Sequence, residues 1–148
     1  LQRNKAARAA GRFALIHGVH GEGLAARLDR KAGELGTVQP VLLQVNVTEE
    51  PQKDGLAPDA LVDVACAVAA LPHLDLRGLM AMGRQGASEA ELRRDFARVR
   101  DLRDRAQAAC GRPLPELSLG MSGDFEAAIL EGSTLVRIGT AIFGPRRT

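Results

Sequence analysis

The sequence has no tryptophan and no tyrosine, and it has only four phenylalanines among 148 residues. Proteins that hold single-stranded nucleic acid usually stack its bases on aromatic side chains, so this scarcity argues against that ligand. Twenty basic and eighteen acidic residues leave a net charge of only +2, which creates no large field for nucleic acid or a membrane surface. We therefore expect neither of these as a partner.

Cysteine is scarce as well, with Cys66 and Cys110 alone in the sequence. They lie far apart and in no CxxC motif, so a disulfide or a shared metal ion is not expected. Both fall near the apolar faces of predicted helices, which predicts two buried reduced thiols. No cluster of histidine, cysteine and carboxylate residues has metal-ligand spacing, so we expect no metal site.

Long apolar runs are absent too. None reaches the roughly 20 residues of a membrane-spanning helix, and no signal peptide is recognisable. A cytoplasmic location is the resulting expectation. The first residues already have a helical pattern and no initiating methionine, which suggests a fragment without its natural N-terminus. The length predicts one domain over residues 1–148.

Apolar runs and amphipathic segments alternate along the chain. Predicted strands cover 12–19, 40–47, 74–82, 116–121 and 134–139, and predicted helices cover 21–36, 57–72, 88–110 and 123–132. Leu24, Leu28 and Leu35 form the apolar stripe of the first of these helices. Ser88 and Glu91 form a capping box at the start of the longest one.

This alternation predicts parallel strands joined by right-handed crossovers. Two α/β architectures fit five such strands: an open doubly wound sheet, or part of a parallel (β/α)8 TIM-type barrel. A complete barrel needs about 250 residues. Because the N-terminus looks truncated, we favour a partial barrel of about five β/α units.

Ligands of both architectures bind at the carboxyl ends of the strands. Ser122 follows one strand end, and Gly139 and Thr140 follow the next. Ser122 could simply be the N-cap of the helix after it. Alternatively, its hydroxyl and the small residues of both strand ends could together bind a phosphate.

Arg137 lies in an otherwise apolar predicted strand, where an unpaired charge would be costly. It could form a structural salt bridge with Asp124 or Glu126. It could instead face a ligand, toward which a guanidinium acts only as a donor.

The stretch "LSLGMSGDFEAAILEGSTLVRIGTAIFGPR" resembles the C-terminal signature of the pyridoxal-phosphate homeostasis proteins, also called proline-synthetase co-transcribed homologues, which have the alanine-racemase N-terminal type of barrel. The segments "LQRNK", "VLLQVNVTEEPQKDGL" and "LRGLMAM" are similar to other parts of that family. The resemblance covers the whole chain. It implies a (β/α)8 barrel that binds pyridoxal 5′-phosphate, of which this sequence carries strands 4–8.

By this resemblance, Ser122 is a phosphate ligand, Gly139 and Thr140 complete the phosphate site, and Arg137 faces the pyridine nitrogen. A donor-only guanidinium there keeps the nitrogen unprotonated, which suits holding the cofactor better than carbanion chemistry. No catalytic residue is implied. The family attaches the cofactor through a lysine after its first strand, and no lysine of this sequence matches that Schiff-base position. The lysines are Lys5, Lys31 and Lys53.

The implied function is that of a cytoplasmic, monomeric cofactor carrier without catalysis of its own, which exchanges pyridoxal phosphate with apo-enzymes. One alternative is a pyridoxal-phosphate-dependent amino-acid racemase, which the absence of a tyrosine base disfavours. A second is a flavodoxin-like regulatory module without a cofactor. His17 could lie near the cofactor or merely end its strand.

Overall fold

A curved parallel sheet forms the centre of this computed structural model, which describes residues 1–50 and 52–144; the last two residues of the stretch that resembles the family signature, Pro145 and Arg146, lie outside them. The strands are β1 (Ile16–Val19), β2 (Gln39–Val45), β3 (Leu74–Ala81), β4 (Glu116–Met121) and β5 (Leu135–Arg137). The α-helices are α1 (Ala6–Ala9), α2 (Glu22–Glu34), α3 (Leu61–Ala69), α4 (Glu89–Cys110), α5 (Phe125–Leu130) and α6 (Thr140–Phe143). Short 3-10 helices, Arg3–Lys5 and Pro58–Ala60, precede α1 and α3.

The strand order separates the two predicted architectures. All pairings are parallel, and the order β1-β2-β3-β4-β5 follows the chain. A flavodoxin-like sheet would have its first two strands exchanged. In a (β/α)8 barrel, each strand lies beside the strand that precedes it in the chain. The predicted partial barrel is therefore confirmed, and the flavodoxin-like alternative is wrong.

The sheet curls as a barrel wall does. Strands β1 and β4 are three positions apart, which in a flat sheet would separate them by about 14 Å. The His17 Nδ1 atom on β1 nevertheless lies 2.9 Å from the Ser118 Oγ atom on β4. Both side chains must therefore project from the concave face, where the curvature brings them together.

The convex face of the sheet is apolar and carries the main core. Leu43, Leu79 and Leu117 project from it and are fully buried. The apolar stripes of the helices cover them, with Leu28 of α2 and Phe96 of α4 completely enclosed. Burial of this interface is the principal favourable term in folding.

A bulge in β3 keeps its leucines on that face. Leu76 pairs with Val41, but the next pair is Gly78 with Leu42, so Arg77 is an extra residue. Gly78 has φ +155°, and a Cβ atom there would overlap the backbone of Glu116. Only glycine allows this close approach of β3 to β4.

Several predicted boundaries change in the structure. The first strand is four residues long, and Phe13 before it is 60% exposed. Its carbonyl instead accepts a hydrogen bond from the Gln39 amide. Helix α2 ends at Glu34, so Leu35 lies beyond its last turn and is 51% exposed, contrary to the predicted stripe. The Ser88 capping box of α4 is confirmed.

The cysteines differ most from expectation. Cys66 and Cys110 are half-buried, and their sulfur atoms lie 3.0 Å apart. Both thiols are free, as predicted, but they are only half-buried, and they face each other because α3 and α4 pack side by side. Sequence spacing carries no information about that contact.

Candidate functional site

One cavity brings together all four residues that the sequence predicts as ligands. Its volume is about 510 Å³, and it lies at the carboxyl ends of β4 and β5. The residues around it are Met121, Ser122, Gly123, Arg137, Gly139, Thr140, Phe143 and Gly144. A neighbouring cavity of about 810 Å³ shares Met121 and Gly123 with it and extends toward Lys53.

Backbone carbonyls and a hydroxyl hold the Arg137 guanidinium. Its Nη1 atom donates to the Ser118 carbonyl at 2.7 Å and to the Ser118 hydroxyl at 2.6 Å. Its Nη2 atom donates to the Ala81 carbonyl at 2.9 Å. Among residues 1–50 and 52–144, Arg137 forms no ion pair with a carboxylate, and the Asp124 carboxylate accepts from the Met121 amide instead. The predicted alternative of a structural salt bridge is therefore wrong.

The guanidinium keeps donors available for the cavity. It carries five N–H groups, and its bonds to Ser118 and Ala81 account for three of them within the described residues. Burial lowers the pKa of Arg137 from its ordinary value, and the nearby Asp124 carboxylate opposes that shift. Because arginine titrates so far above neutrality, the group remains a cation that can only donate.

A second layer of polar contacts orients Arg137. The Ser118 hydroxyl accepts from Arg137 and also contacts the His17 Nδ1 atom. Burial, and next the charge of Arg137, lower the pKa of His17, while Glu116 opposes them. This shift favours the neutral ring of His17, whose Nδ1 atom can accept a hydrogen bond from the Ser118 hydroxyl. The only sequence signal for Ser118 was a hydroxyl inside the buried run "ELSLGM".

Ser122 does not cap the helix that follows it. Helix α5 begins at Phe125 with Asp124 in the N-cap position. The Ser122 hydroxyl instead accepts from the backbone amides of Gly139, at 3.2 Å, and Ala141, at 3.1 Å. The N-cap prediction was wrong because the turn after β4 is longer than expected, and the barrel places the chain after β5 against this hydroxyl.

The glycines beside Ser122 leave room above the backbone. A Cβ atom added at Gly123 or Gly139 would meet no atom within 4 Å. Thr140, the first residue of α6, is exposed and lines the same cavity. Hydroxyls, backbone amides and one guanidinium are donors, and no carboxylate lines this cavity in the described part of the chain. The set fits an anionic group beside a neutral acceptor atom.

The alanine racemase N-terminal domain is the family whose sequence model matches this chain, over residues 2–147. The chain belongs to that family. A pyridoxal phosphate homeostasis protein of Aquifex aeolicus is 40% identical over 147 residues, with 99% of this chain and 64% of the relative covered. The Escherichia coli (strain K12) protein of that name is 44% identical over 152 residues, with 99% and 62% covered.

A solved structure agrees with these relatives. PipY of Synechococcus elongatus, described with PLP bound, superposes with a TM-score of 0.89 at 39% identity, covering 97% of this chain and 67% of PipY. The resemblance seen in the sequence is thus confirmed. This chain spans 64% and 62% of the lengths of the two curated relatives above.

No three or more histidine, cysteine or acidic side chains cluster as metal ligands anywhere in 1–50 or 52–144. No helix within the described ranges has the length and apolarity required to cross a membrane.

Proposed function

We propose that the chain is part of a protein that binds pyridoxal 5′-phosphate and holds it for other proteins without catalysing a reaction. The observation that carries this proposal is the convergence of Ser122, Arg137, Gly139 and Thr140 on one cavity. The names of the relatives and the PLP-bound structure of PipY support it.

The phosphate would lie against the wall formed by Ser122, Gly139 and Thr140. The amides of Gly139 and Ala141 already donate to the Ser122 oxygen, which leaves the Ser122 O–H to donate to a phosphate oxygen. The Ser122 hydroxyl is a neutral donor, and Arg137 supplies the positive charge near the cavity. Neutral and charged donors of this kind are the usual ligands of phosphate oxygens.

Arg137 would donate to the pyridine nitrogen through an N–H group that Ser118 and Ala81 do not use. Bound pyridoxal phosphate supplies an electron sink for carbanions, and that sink is weakened when its ring nitrogen carries no proton. A guanidinium has no acidic proton to give up near neutral pH, so it binds this nitrogen without protonating it. This property favours a carrier over an enzyme.

The test is a titration of the complete gene product with pyridoxal phosphate, followed by absorbance. We expect Arg137→Ala to weaken binding by about 10- to 100-fold, the value of a hydrogen bond from a charged group. Arg105→Ala is the matched control, because Arg105 is an exposed arginine on α4. Equal affinities of the wild type and Arg137→Ala would contradict the assignment of Arg137.

The hydroxyl of Ser122 can be tested in the same titration. Removing a neutral donor costs about 0.5–1.5 kcal/mol, so Ser122→Ala should weaken binding by up to about tenfold. Ser88→Ala, which removes a serine hydroxyl at the start of α4, should leave the affinity unchanged. A Ser122→Ala variant with undiminished affinity would exclude a role in phosphate binding.

We further propose that the protein is a cytoplasmic monomer and that apo-enzymes receive its cofactor. The family also contains racemase domains, so amino-acid racemisation is the alternative. Incubating the loaded protein with an apo-enzyme should restore the activity of that enzyme, whereas the loaded protein alone should racemise no amino acid. Racemisation that Arg137→Ala abolishes would favour the alternative.

A further inference from the structure

The two cysteines form a close pair on the helical layer of the barrel. Cys66 lies within α3 and Cys110 is the last residue of α4. The Sγ atoms are 3.0 Å apart, although 44 positions separate the residues in the chain. A disulfide bond is about 2 Å long, so the sulfurs need to approach by only about 1 Å. Both side chains are half-buried, so a small reagent can reach the pair.

Contacts that involve no sulfur hold the ends of the two helices together. Gly111 ends α4 in the left-handed conformation, with φ 64° and ψ 26°. Arg112 then donates to the carbonyl of Ala69, the last residue of α3, at 3.4 Å, and to the Asp75 carboxylate at 2.8 Å. The position of Cys110 over α3 is therefore set by the fold.

We propose that Cys66 and Cys110 are a dithiol that low-molecular-weight disulfides such as oxidised glutathione convert to an intramolecular disulfide. Burial, and next the hydrogen bond with Cys66, raise the pKa of Cys110 to about 12, so the Cys66 sulfur attacks first, as a thiolate. A mixed disulfide forms on Cys66, and the proton of Cys66 goes to the glutathione that leaves. The second thiol then attacks the protein sulfur of the mixed disulfide. The Cys66–Cys110 bond forms, and a second glutathione leaves with the second proton. Two protein thiols are oxidised and one glutathione disulfide is reduced.

The structure predicts two properties of the oxidised form. The bond closes a long loop, which should raise the Tm by roughly 10 °C. The pair lies between α3 and α4, whereas the cavity at Arg137 is lined by residues after β4 and β5. Oxidation should therefore leave the affinity for pyridoxal phosphate unchanged, so this proposal and the proposed function can fail separately.

The experiment treats the complete gene product with oxidised glutathione, blocks the remaining thiols and maps its peptides after trypsin digestion without reductant. Trypsin should release Cys66 in peptide 54–77 and Cys110 in peptide 106–137, since Pro113 prevents cleavage after Arg112. We expect one species with the combined mass of both peptides less two hydrogens, together with the rise in Tm. Dithiothreitol should reverse both.

Cys66→Ser and Cys110→Ser are the matched controls. Cys110→Ser should retain glutathione on Cys66, and neither variant should show a rise in Tm on oxidation. Glutathione bound to both cysteines of the wild-type protein, or two free thiols after treatment, would overturn the proposal. The wild-type peptide map gives this answer even if a variant does not fold.

Discussion

The two faces of the sheet differ in composition and in role. The convex face consists of aliphatic side chains that the helices enclose, such as Leu43 and Leu76. The concave face carries a chain of polar contacts from His17 through Ser118 to Arg137. Each strand is thus apolar toward the helices, where burial stabilises the fold, whereas the concave face combines buried apolar residues with a few polar groups whose orientation matters more. Substitutions on the two faces should consequently separate stability from ligand binding.

The largest effect on stability should come from the convex face. Leu76 is fully buried between the sheet and the helices, so Leu76→Ala should lower the free energy of unfolding by about 2–5 kcal/mol. Urea unfolding of the complete gene product measures this loss. At temperatures where the variant is folded, its affinity for pyridoxal phosphate should equal that of the wild type. A reduced affinity in the folded variant would show that the convex face also affects ligand binding.

A smaller loss of stability and a clear loss of binding should follow Ser118→Ala. The buried Ser118 hydroxyl accepts from Arg137, so its removal costs about 1–3 kcal/mol and leaves the guanidinium held only by the Ser118 and Ala81 carbonyls. Titration with pyridoxal phosphate should show weaker binding.

Ser133→Ala is the matched control for Ser118→Ala. Ser133 also joins β4 to β5, through bonds to the Leu117 and Leu119 carbonyls, but it does not contact Arg137. The Ser133→Ala variant should be less stable than the wild type and should keep its affinity for pyridoxal phosphate. Equal affinities in the two serine variants would show that Ser118 does not position Arg137.

Glu131 should have a modest and pH-dependent effect. Its carboxylate accepts from Arg93 Nε at 2.8 Å and Arg100 Nη1 at 2.9 Å, and these bonds, that of Arg93 first, lower its pKa. Glu131→Gln should cost about 1 kcal/mol at pH 7. Because a depressed carboxyl pKa stabilises only the ionised form, this difference should persist above the ordinary glutamate pKa and vanish as the pH falls through the folded-state pKa.

Urea unfolding at pH 7 and in acid checks the Glu131 prediction. Glu126→Gln, an exposed position in α5, supplies the control and should match the wild type at both pH values. A Glu131→Gln deficit that stays constant into acid would exclude the ionic contribution.

The smallest effect should be that of His17 on the pH dependence of stability. Its pKa is lowered by burial first and by Arg137 second, so the folded state favours the neutral ring. Its contribution is complete above the ordinary histidine pKa of about 6.5 and is lost as the pH falls toward the lower folded-state value. His17→Asn should flatten this part of the profile. Identical thermal unfolding profiles from pH 5 to 8 in His17→Asn and the wild type would contradict this contribution of His17 to the pH dependence of stability.

The order of elements was predictable because its signals are local. Alternating apolar runs and amphipathic segments identified all five strands, and Ser88 with Glu91 identified the start of α4. The residues of the candidate site, such as Ser122 and Arg137, could be named because they follow strand ends and match a family signature. Leu35 was misplaced because its periodicity continues past the last turn of α2.

What each of these residues contacts was decided by the tertiary structure alone. The Ser122 hydroxyl bonds to amides beyond the next strand, Arg137 to the Ala81 carbonyl, and Cys66 approaches Cys110. These partners are 17, 56 and 44 residues apart. The sequence by itself determined which elements form and which residue types stand at their ends. The curvature and register of the sheet decided the partners, because distances across a curved sheet depend on packing that no local pattern records.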